Sequence, residues 1–451
     1  MDVLRIGCAA GFSGDRTDAA IGVVDALVAA GGPSFLIFET LAERTLALAQ
    51  LARRKDPASG YEPLLVDMLR PVLARCLRHG IRIVSNFGAA NPDGAARRIR
   101  ALASELGLPA PLIAVIHGDD VSGLEHRAAL SAALAVANSA SLDERTIVSA
   151  NAYIGAEAVA LALADGAQIV VGGRLADPSL TVGPAMAHFG WRADDWDRLG
   201  RATMVGHLLE CGAQVSGGYY ADPGLKDVPG MARLGYPIAE VSDDGTAIIT
   251  KPTGSGGRVD AHTVKEQLLY EIHDPAAYLT PDVVADIGDA EVEEIAPDRV
   301  RLAGVRGHRR PDALKVNVCF ESGWQAEGEI SYAGPRADAR ARLAAETIRE
   351  RMADAGRLRI DLIGSCSVFG DDDGHLLAVT GARPAGDVRM RIALRHGDRA
   401  EARRLEREVL ALYCCGPAGG GGVRTSLRPT LGTRSCLLPR ELVPTRHELL
   451  D

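Results

Sequence analysis

The segment Gly206-His207-Leu208-Leu209-Glu210-Cys211-Gly212 sets His207 and Glu210 three residues apart, on one face if the segment is helical. A histidine and a carboxylate at that spacing suit general acid–base work, or half of a metal site. Cys211 is a nucleophile only if a neighbouring base activates it. The competing reading is a satisfied histidine in an apolar helix, given Leu208-Leu209. The HExxH pattern of zinc peptidases is absent.

A second segment, Gly172-Gly173-Arg174-Leu175-Ala176-Asp177-Pro178-Ser179, offers a guanidinium and a carboxylate. Arg174 suits two-pronged capture of a carboxylate or phosphate. Asp177 suits a base or an orienting group. A structural Arg–Asp pair competes with that reading. Gly11-Phe12-Ser13-Gly14-Asp15-Arg16 can bring backbone amides to an anion at a helix start, with Asp15 as acid or base and Arg16 as anion holder. Its glycines do not have dinucleotide-fingerprint spacing. Gly217-Gly218 follow the His207 segment by one or two turns and are candidates for contact with substrate. The run Gly416-Pro417-Ala418-Gly419-Gly420-Gly421-Gly422-Val423-Arg424 offers exposed amides and a guanidinium for a phosphate or an oxyanion. It lacks the Lys-Ser/Thr of a Walker loop, and a flexible linker is the competing reading.

The elements that must hold these residues alternate. Strands are expected at Val3–Cys8, Phe35–Phe38, Ile81–Ser85, Leu112–Ile116 and Gln168–Val171. Helices are expected at Asp18–Ala30, Tyr61–Arg78, Gly94–Leu106 and Gly155–Ala164. Such alternation predicts an α/β domain with a mostly parallel sheet. Glu39, Asn86, His117, Asp119 and Arg174 each follow a strand closely, where parallel α/β domains build their sites. Asn151 lies in Ser149–Tyr153, another polar stretch beside these elements.

Residues 212–260 read as site loops or a connector, and Thr263–Tyr270 as a helix capped by Thr263. From Arg299 onward the pattern predicts a second, smaller α/β (α+β) domain. Its strands are Arg299–Leu302, Leu314–Phe320, Leu358–Ile363 and Val388–Leu394. Its helices are Ala337–Met352 and Ala400–Tyr413. The expected division is 1–290 and 291–451. Gly334–Arg340 echoes Gly397–Arg403, each after a strand and opening a helix, as a duplicated half would.

The 451 residues suit two or three domains, and 47% hydrophobic with 24% charged residues is a globular balance. A net charge of −9 argues against nucleic acid as partner. No apolar run is long enough for a membrane span, and the first residues lack the features of a signal peptide, so a cytoplasmic protein without a membrane partner is expected. None of the eight cysteines forms a CxxC pair, so free thiols are expected.

Ten stretches in order resemble the bacterial acyclic terpene utilisation family of the AtuA type. They are Gly11–Arg16, Asn86–Pro92, Ala150–Gly155, Gly173–Ser179, Gly206–Gly212, Gly235–Val241, Glu266–Ile272, Tyr278–Val283, Glu327–Tyr332 and Gly416–Gly422. There are two departures. Tyr219-Tyr220 stands where the family has Asn and then an aromatic, and Cys415 stands where an Asn usually precedes the glycine run. The resemblance implies a setting in which branched terpenoid acids are degraded as CoA thioesters, and it assigns no catalytic roles.

The resulting expectation is an enzyme on a small carboxylate or acyl-CoA-like substrate, with lyase or hydratase chemistry, no cofactor and no metal, acting as a homo-oligomer. His207, Glu210, Asp177, Asp15 and Cys211 are the catalytic candidates. Arg16, Glu39, Asn86, Asn151, Arg174, Gly217, Gly218, Gly419, Gly420, Gly421, Gly422 and Arg424 are the binding candidates. The alternatives are a hydrolase using a cysteine (Cys211 or Cys414) or a metal on Glu39, His117, Asp119 and His207, and a non-catalytic ligand-binding or assembly subunit.

Overall fold

The computed structural model describes residues 3–137, 147–381 and 386–450. Contacts divide the chain into two units: unit 1 comprises 1–143, 147–319 and 433–451, and unit 2 comprises 144–146 and 320–432. The expected break at 290 is not where the contacts part. Residues 291–319 and 433–451 belong with the first unit, so the second is an insertion.

Unit 1 begins with β1 (Val3–Cys8), α1 (Ala19–Ala30), β2 (Ser34–Phe38), α2 (Glu43–Lys55), α3 (Leu65–Leu69) and α4 (Leu73–His79). It continues with β3 (Arg82–Ser85), α5 (Pro92–Glu105), β4 (Ile113–His117), α6 (Arg127–Val136), β5 (Ile147–Ala152), α7 (Glu157–Ala164) and β6 (Ile169–Val171). Then come α8 (Ser179–Phe189), α9 (Trp196–Glu210), β7 (Ile238–Ser242), β8 (Ala247–Thr250), α10 (Ala261–Leu269), β9 (Tyr278–Leu279) and β10 (Val284–Asp286). The next elements are β11 (Glu291–Ala296), β12 (Arg299–Ala303), β13 (Arg306–His308) and β14 (Ala313–Ala333), which crosses the unit boundary. Unit 2 adds α11 (Ala337–Arg351), β15 (Leu358–Ile363), α12 (His375–Val379), β16 (Asp387–His396), α13 (Arg399–Cys415) and β17 (Gly421–Pro439), which leads back to β18 (Arg446–Leu450) of unit 1.

The main sheet has ten strands in the order β11-β12-β8-β7-β1-β2-β3-β6-β4-β18. The expectation of a mostly parallel sheet fits only its centre. β1, β2, β3, β6 and β4 pair in parallel, while β7, β8, β12 and β11 on one side and β18 on the other pair antiparallel. The central strands are apolar on both faces, as buried parallel strands are. Phe35 and Ile37 of β2 enter one core cluster, and Leu36 and Phe38 enter the other. The antiparallel side includes β7 and β8, a hairpin inside the stretch read as loop. Its Asp243-Asp244-Gly245 turn is closed by Ser242 N–H donating to Thr246 O at 2.9 Å, a signal the sequence did carry.

Two further elements differ from expectation for local reasons. Tyr61–Arg78 is not one helix, because Pro71 separates α3 from α4. α10 starts earlier than Thr263: the Asp260 side chain accepts from the His262 and Thr263 amides, and Thr263 Oγ1 accepts from Asp260 N–H at 3.1 Å.

Unit 2 sets α11 and α13 against one face of an antiparallel sheet ordered β15-β16-β14-β17. β14 and β15 both run antiparallel to the β16 strand between them, the split β-α-β arrangement. The two echoed heptads open α11 and α13, each directly after a strand. Among the described residues no helix is long and apolar enough to cross a membrane.

Candidate functional site

Glu39, Asn86, Asp119 and Arg174 stand at the C-terminal ends of the parallel strands of unit 1, all at most 7% exposed. Two contacts knit these strand ends: Gly88 N–H donates to Gly172 O, and Gly172 N–H donates to Ser85 O, both at 2.9 Å. Glu39 Oε1 accepts from Leu41 N–H at 2.7 Å and from Asn86 Nδ2 at 2.8 Å. Asp119 Oδ2 accepts from Arg174 N–H at 2.8 Å and from Asn151 Nδ2 at 2.9 Å. Asp119 therefore sets the backbone from which Arg174 projects.

Arg174 lies 2% exposed and is gripped on several sides. Nη1 donates to Leu41 O, and Nη2 donates to Asp177 Oδ1 at 2.8 Å. The guanidinium sits 4.1 Å from the centroid of Tyr153. Its Nε has no partner. The Tyr153 hydroxyl donates to Glu43, which Lys315 also approaches at 3.3 Å. Burial disfavours the Glu43 carboxylate, but the Tyr153 hydrogen bond and the Lys315 and Arg174 charges prevail and bring it down to about 2.

The opposite holds for the deeper carboxyls. Burial pushes Asp177 up to about 6; the Arg174 charge opposes this and the Glu210 charge adds to it. Glu39 is held well above the usual carboxylate range by burial and by the charge of Asp177. Burial and like charge thus both favour the protonated form of these acids.

α9 supplies the other half. A Cβ on Gly206 would fall 2.7 Å from Pro178 O, so only glycine lets this helix reach the Asp177-Pro178 loop. His207, 1% exposed, shares a hydrogen bond of 2.9 Å between Nδ1 and Glu210 Oε1. Its Nε2 and Glu210 Oε2 are buried without partners. Burial opposes the imidazolium, yet the hydrogen bond and charge of Glu210 outweigh it, so the His207 pKa is raised. Gln267 of α10 donates to His207 O at 3.2 Å, and the Tyr278 ring lies 5.4 Å from the imidazole. Cys211 ends α9, where burial and the Glu210 charge push its thiol up and keep it protonated.

The structure thus gathers His207, Glu210, Cys211, Asp177, Arg174, Glu39, Asn86 and Asn151 around the strand ends, with Asn151 Oδ1 another buried atom without a partner. Asp15 reaches the same end, since Gly11 packs on the Cys211 backbone. Both its oxygens are occupied, however, by Gly11 N–H at 2.8 Å, Arg16 N–H at 2.7 Å and the Tyr236 hydroxyl. Arg16 forks onto Asp18 through Nε at 2.9 Å and Nη2 at 2.8 Å, so its bidentate edge is already taken by a carboxylate. Gly217 and Gly218 serve packing: Gly217 has φ 106° beside Val228, and a Cβ on Gly218 would meet Ala213 O at 2.9 Å.

Gly419–Gly422 and Arg424 belong to unit 2. There Gly420 packs on Ile330 and Tyr332, and Gly419 takes φ 74° beside Arg340, which donates to Ala418 O at 2.7 Å. Gly421 and Gly422 already begin β17. Packing thus accounts for part of the run. The alternative metal set of Glu39, His117, Asp119 and His207 is not among the groups with ligand spacing: among the described residues the one trio so spaced is Asp371, Asp373 and His375, on the surface of unit 2. His117 instead approaches Asp93 and Glu448 at 3.7 and 3.8 Å.

The residues not foreseen are Glu43, Lys315, Tyr236, Tyr278 and Asp282. Asp282, buried, accepts from Ala156 N–H at 2.8 Å and from Ser179 Oγ at 2.5 Å, tying the loop after β6 to the chain beyond α10. Tyr236, Tyr278 and Asp282 sit in Gly235–Val241 and Tyr278–Val283, stretches noted for resemblance but given no role. Tyr219, the first departure noted, is 89% exposed and takes a left-handed φ of 60°, a conformation that asparagine adopts more readily than tyrosine.

The model of the family described as acyclic terpene utilisation family protein AtuA matches residues 4–449. The chain belongs to that family. No curated protein matches it.

Proposed function

We propose, taking membership of the acyclic terpene utilisation family as the premise, that unit 1 is an enzyme of acid–base chemistry on a small carboxylate or acyl thioester. The reaction we favour is removal of a proton beside a carbonyl, followed by elimination or addition, the work of a lyase or hydratase. One observation carries this reading most: the imidazole of His207 is buried, fixed through Nδ1 by Glu210, and has nothing on Nε2. A buried polar nitrogen without a partner is costly, and enzymes keep such atoms where a substrate will supply the contact.

In this reading His207 Nε2 moves the proton and Glu210 orients the ring and steadies its charge. Asp177 and Glu39, both lifted by burial, hold the second proton. Arg174 keeps Asp177 in place, and its partnerless Nε and Asn151 Oδ1 are the polar atoms a substrate would satisfy. A protonated Cys211 thiol supports this chemistry over a cysteine nucleophile. A CoA thioester as substrate, a homo-oligomer and a cytoplasmic setting complete the proposal, resting on resemblance and composition.

The test is hydrogen exchange in D2O, followed by NMR, on a panel of branched free acids and their CoA thioesters. Wild type should incorporate deuterium beside the carbonyl of at least one class, and His207→Gln should not. No exchange by wild type on either class, or equal exchange by His207→Gln, defeats the proposal.

A further inference from the structure

Away from the strand ends, unit 1 contains a cavity of about 550 Å³. The charged residues lining it are Arg192, Arg309, Arg310 and Arg440, against Asp194 and Asp312. Its sign is opposite to that of the chain, which carries −9. None of the residues gathered around His207 lines it.

The four cations are held differently. Arg192 forks onto Asp194 at 2.9 and 3.0 Å, and Arg309 meets Asp312 at 2.8 Å. All four of those side chains are more than half exposed. Ion pairs so exposed contribute little and exchange partners easily. Arg310 is anchored more deeply, on Glu157 at 2.8 Å. Arg440 differs again: among the described residues it has no carboxylate within ion-pair distance. Its Nη2 donates to Pro281 O at 2.6 Å and Pro311 O at 3.0 Å, so carbonyls fix its position without cancelling its charge. Burial and the nearby Arg310 charge both lower its pKa, the condition an incoming anion relieves.

We propose that this cavity binds a small molecule carrying two or more phosphate charges, with Arg440 as the fixed seat and Arg192 and Arg309 as arms that exchange their aspartates for phosphate oxygens. The planar guanidinium fork matches phosphate geometry. The volume suits a small organic ligand and exceeds what one bare ion needs. Trp196, the first residue of α9, borders the cavity, so the positive end of that helix adds to the field. His207 lies eleven residues further along α9, roughly 16 Å by helical rise, so this site is separate from the acid–base cluster and does not depend on it.

The test is calorimetric titration of the full chain with inorganic pyrophosphate, with sulfate as the single-anion reference. Wild type should bind pyrophosphate saturably at one site and at least tenfold more tightly than sulfate. The affinity should fall as salt rises toward about 0.15 M, because exposed charges are screened. Arg440→Gln should weaken binding tenfold or more. Arg440 also ties two carbonyls, so if that variant misfolds by circular dichroism the exposed pair Arg192→Glu/Arg309→Glu decides, with the same tenfold loss expected. No saturable binding by wild type, pyrophosphate no tighter than sulfate, or unchanged affinity in the folded variants overturns the proposal.

Discussion

Each unit carries a cluster of arginines and carboxylates, and the two are built to opposite rules. In unit 2, Arg391 bridges Asp361 at 2.8 Å and Glu327 at 2.7 Å, Arg359 joins Asp361 at 3.0 Å, and Arg428 reaches Glu327 at 3.3 Å. Glu327, Arg359, Asp361 and Arg391 lie on β14, β15 and β16, on the face opposite the helices, and Arg428 joins them from β17; none of their polar atoms is a buried orphan. In unit 1, the strand-end cluster leaves His207 Nε2, Glu210 Oε2, Arg174 Nε and Asn151 Oδ1 buried without partners and holds three carboxyls, Asp177, Glu39 and Asp119, above their usual range. Similar residue types thus serve a satisfied lattice in one place and an incomplete one in the other. Incompleteness, rather than charge, distinguishes a site from a brace.

The comparison can be broken most directly at His207. His207→Gln should lower turnover by about 10²–10⁴-fold, the usual range for one general acid–base group, while thermal stability stays close to wild type. Unaltered turnover of a substrate identified by the exchange experiment would remove the distinction between the clusters.

Asp361→Asn in the satisfied cluster should behave in the opposite way. It weakens the hold on Arg391 and Arg359 and should cost about 1–3 kcal/mol of stability, read from denaturant midpoints, with turnover per folded molecule unchanged. A loss of turnover without a loss of stability would assign that lattice a role in chemistry.

Asp177 sharpens the contrast through pH. Its folded pKa of about 6 lies above its ordinary value of 3.8. Between those values the folded state therefore binds more protons than the unfolded one, and stability falls as pH rises through the window. Asp177→Asn removes that titration, so the fall between pH 4 and 6 should become shallower by about 1–2 kcal/mol. This is smaller than the full shift implies, because Asp177 keeps 31% side-chain exposure. Chemical denaturation across that range measures it, and an unchanged slope would show that Asp177 is not held as described.

The smallest effect belongs to Tyr219. Tyr219→Asn should raise stability by about 0.5–1 kcal/mol, since asparagine tolerates a left-handed φ better. A thermal melt decides, and a lower midpoint would mean that the tyrosine makes a compensating contact.

Much of this architecture can be read from residue patterns. Val3–Cys8 and Leu358–Ile363 coincide with the observed strands, because runs buried on one or both faces announce themselves through hydrophobicity. The echo of Gly334–Arg340 in Gly397–Arg403 falls where the two strand–helix halves of unit 2 open their helices. The parallel centre was legible; its antiparallel flanks were not, since β7, β8 and β11 are short or half-exposed and β18 pairs across most of the chain.

The same limit applies to the site. His207, Glu210, Arg174 and Asp177 were recognisable by type and spacing, but Tyr236, which helps occupy Asp15 from far along the chain, acts through space. Glycine was the most misleading letter. Gly206 is indispensable to the approach of α9 to the Asp177 loop, while Gly217, Gly218 and Gly420 answer to packing. A sequence shows that a residue is small without showing what presses against it.

The pairing of β18 with β4 bears on how the protein is made. A chain emerging from the ribosome releases Ile113–His117 about 330 residues before Arg446–Leu450, the strand that covers its outer edge. Unit 2, nearly contiguous and with mostly local connections, can complete its sheet in the interval. Throughout that interval an apolar strand stands with unpaired amides and carbonyls, the kind of edge that recruits other chains. A chain cut before Arg446 is therefore expected to aggregate through the uncovered edge of β4.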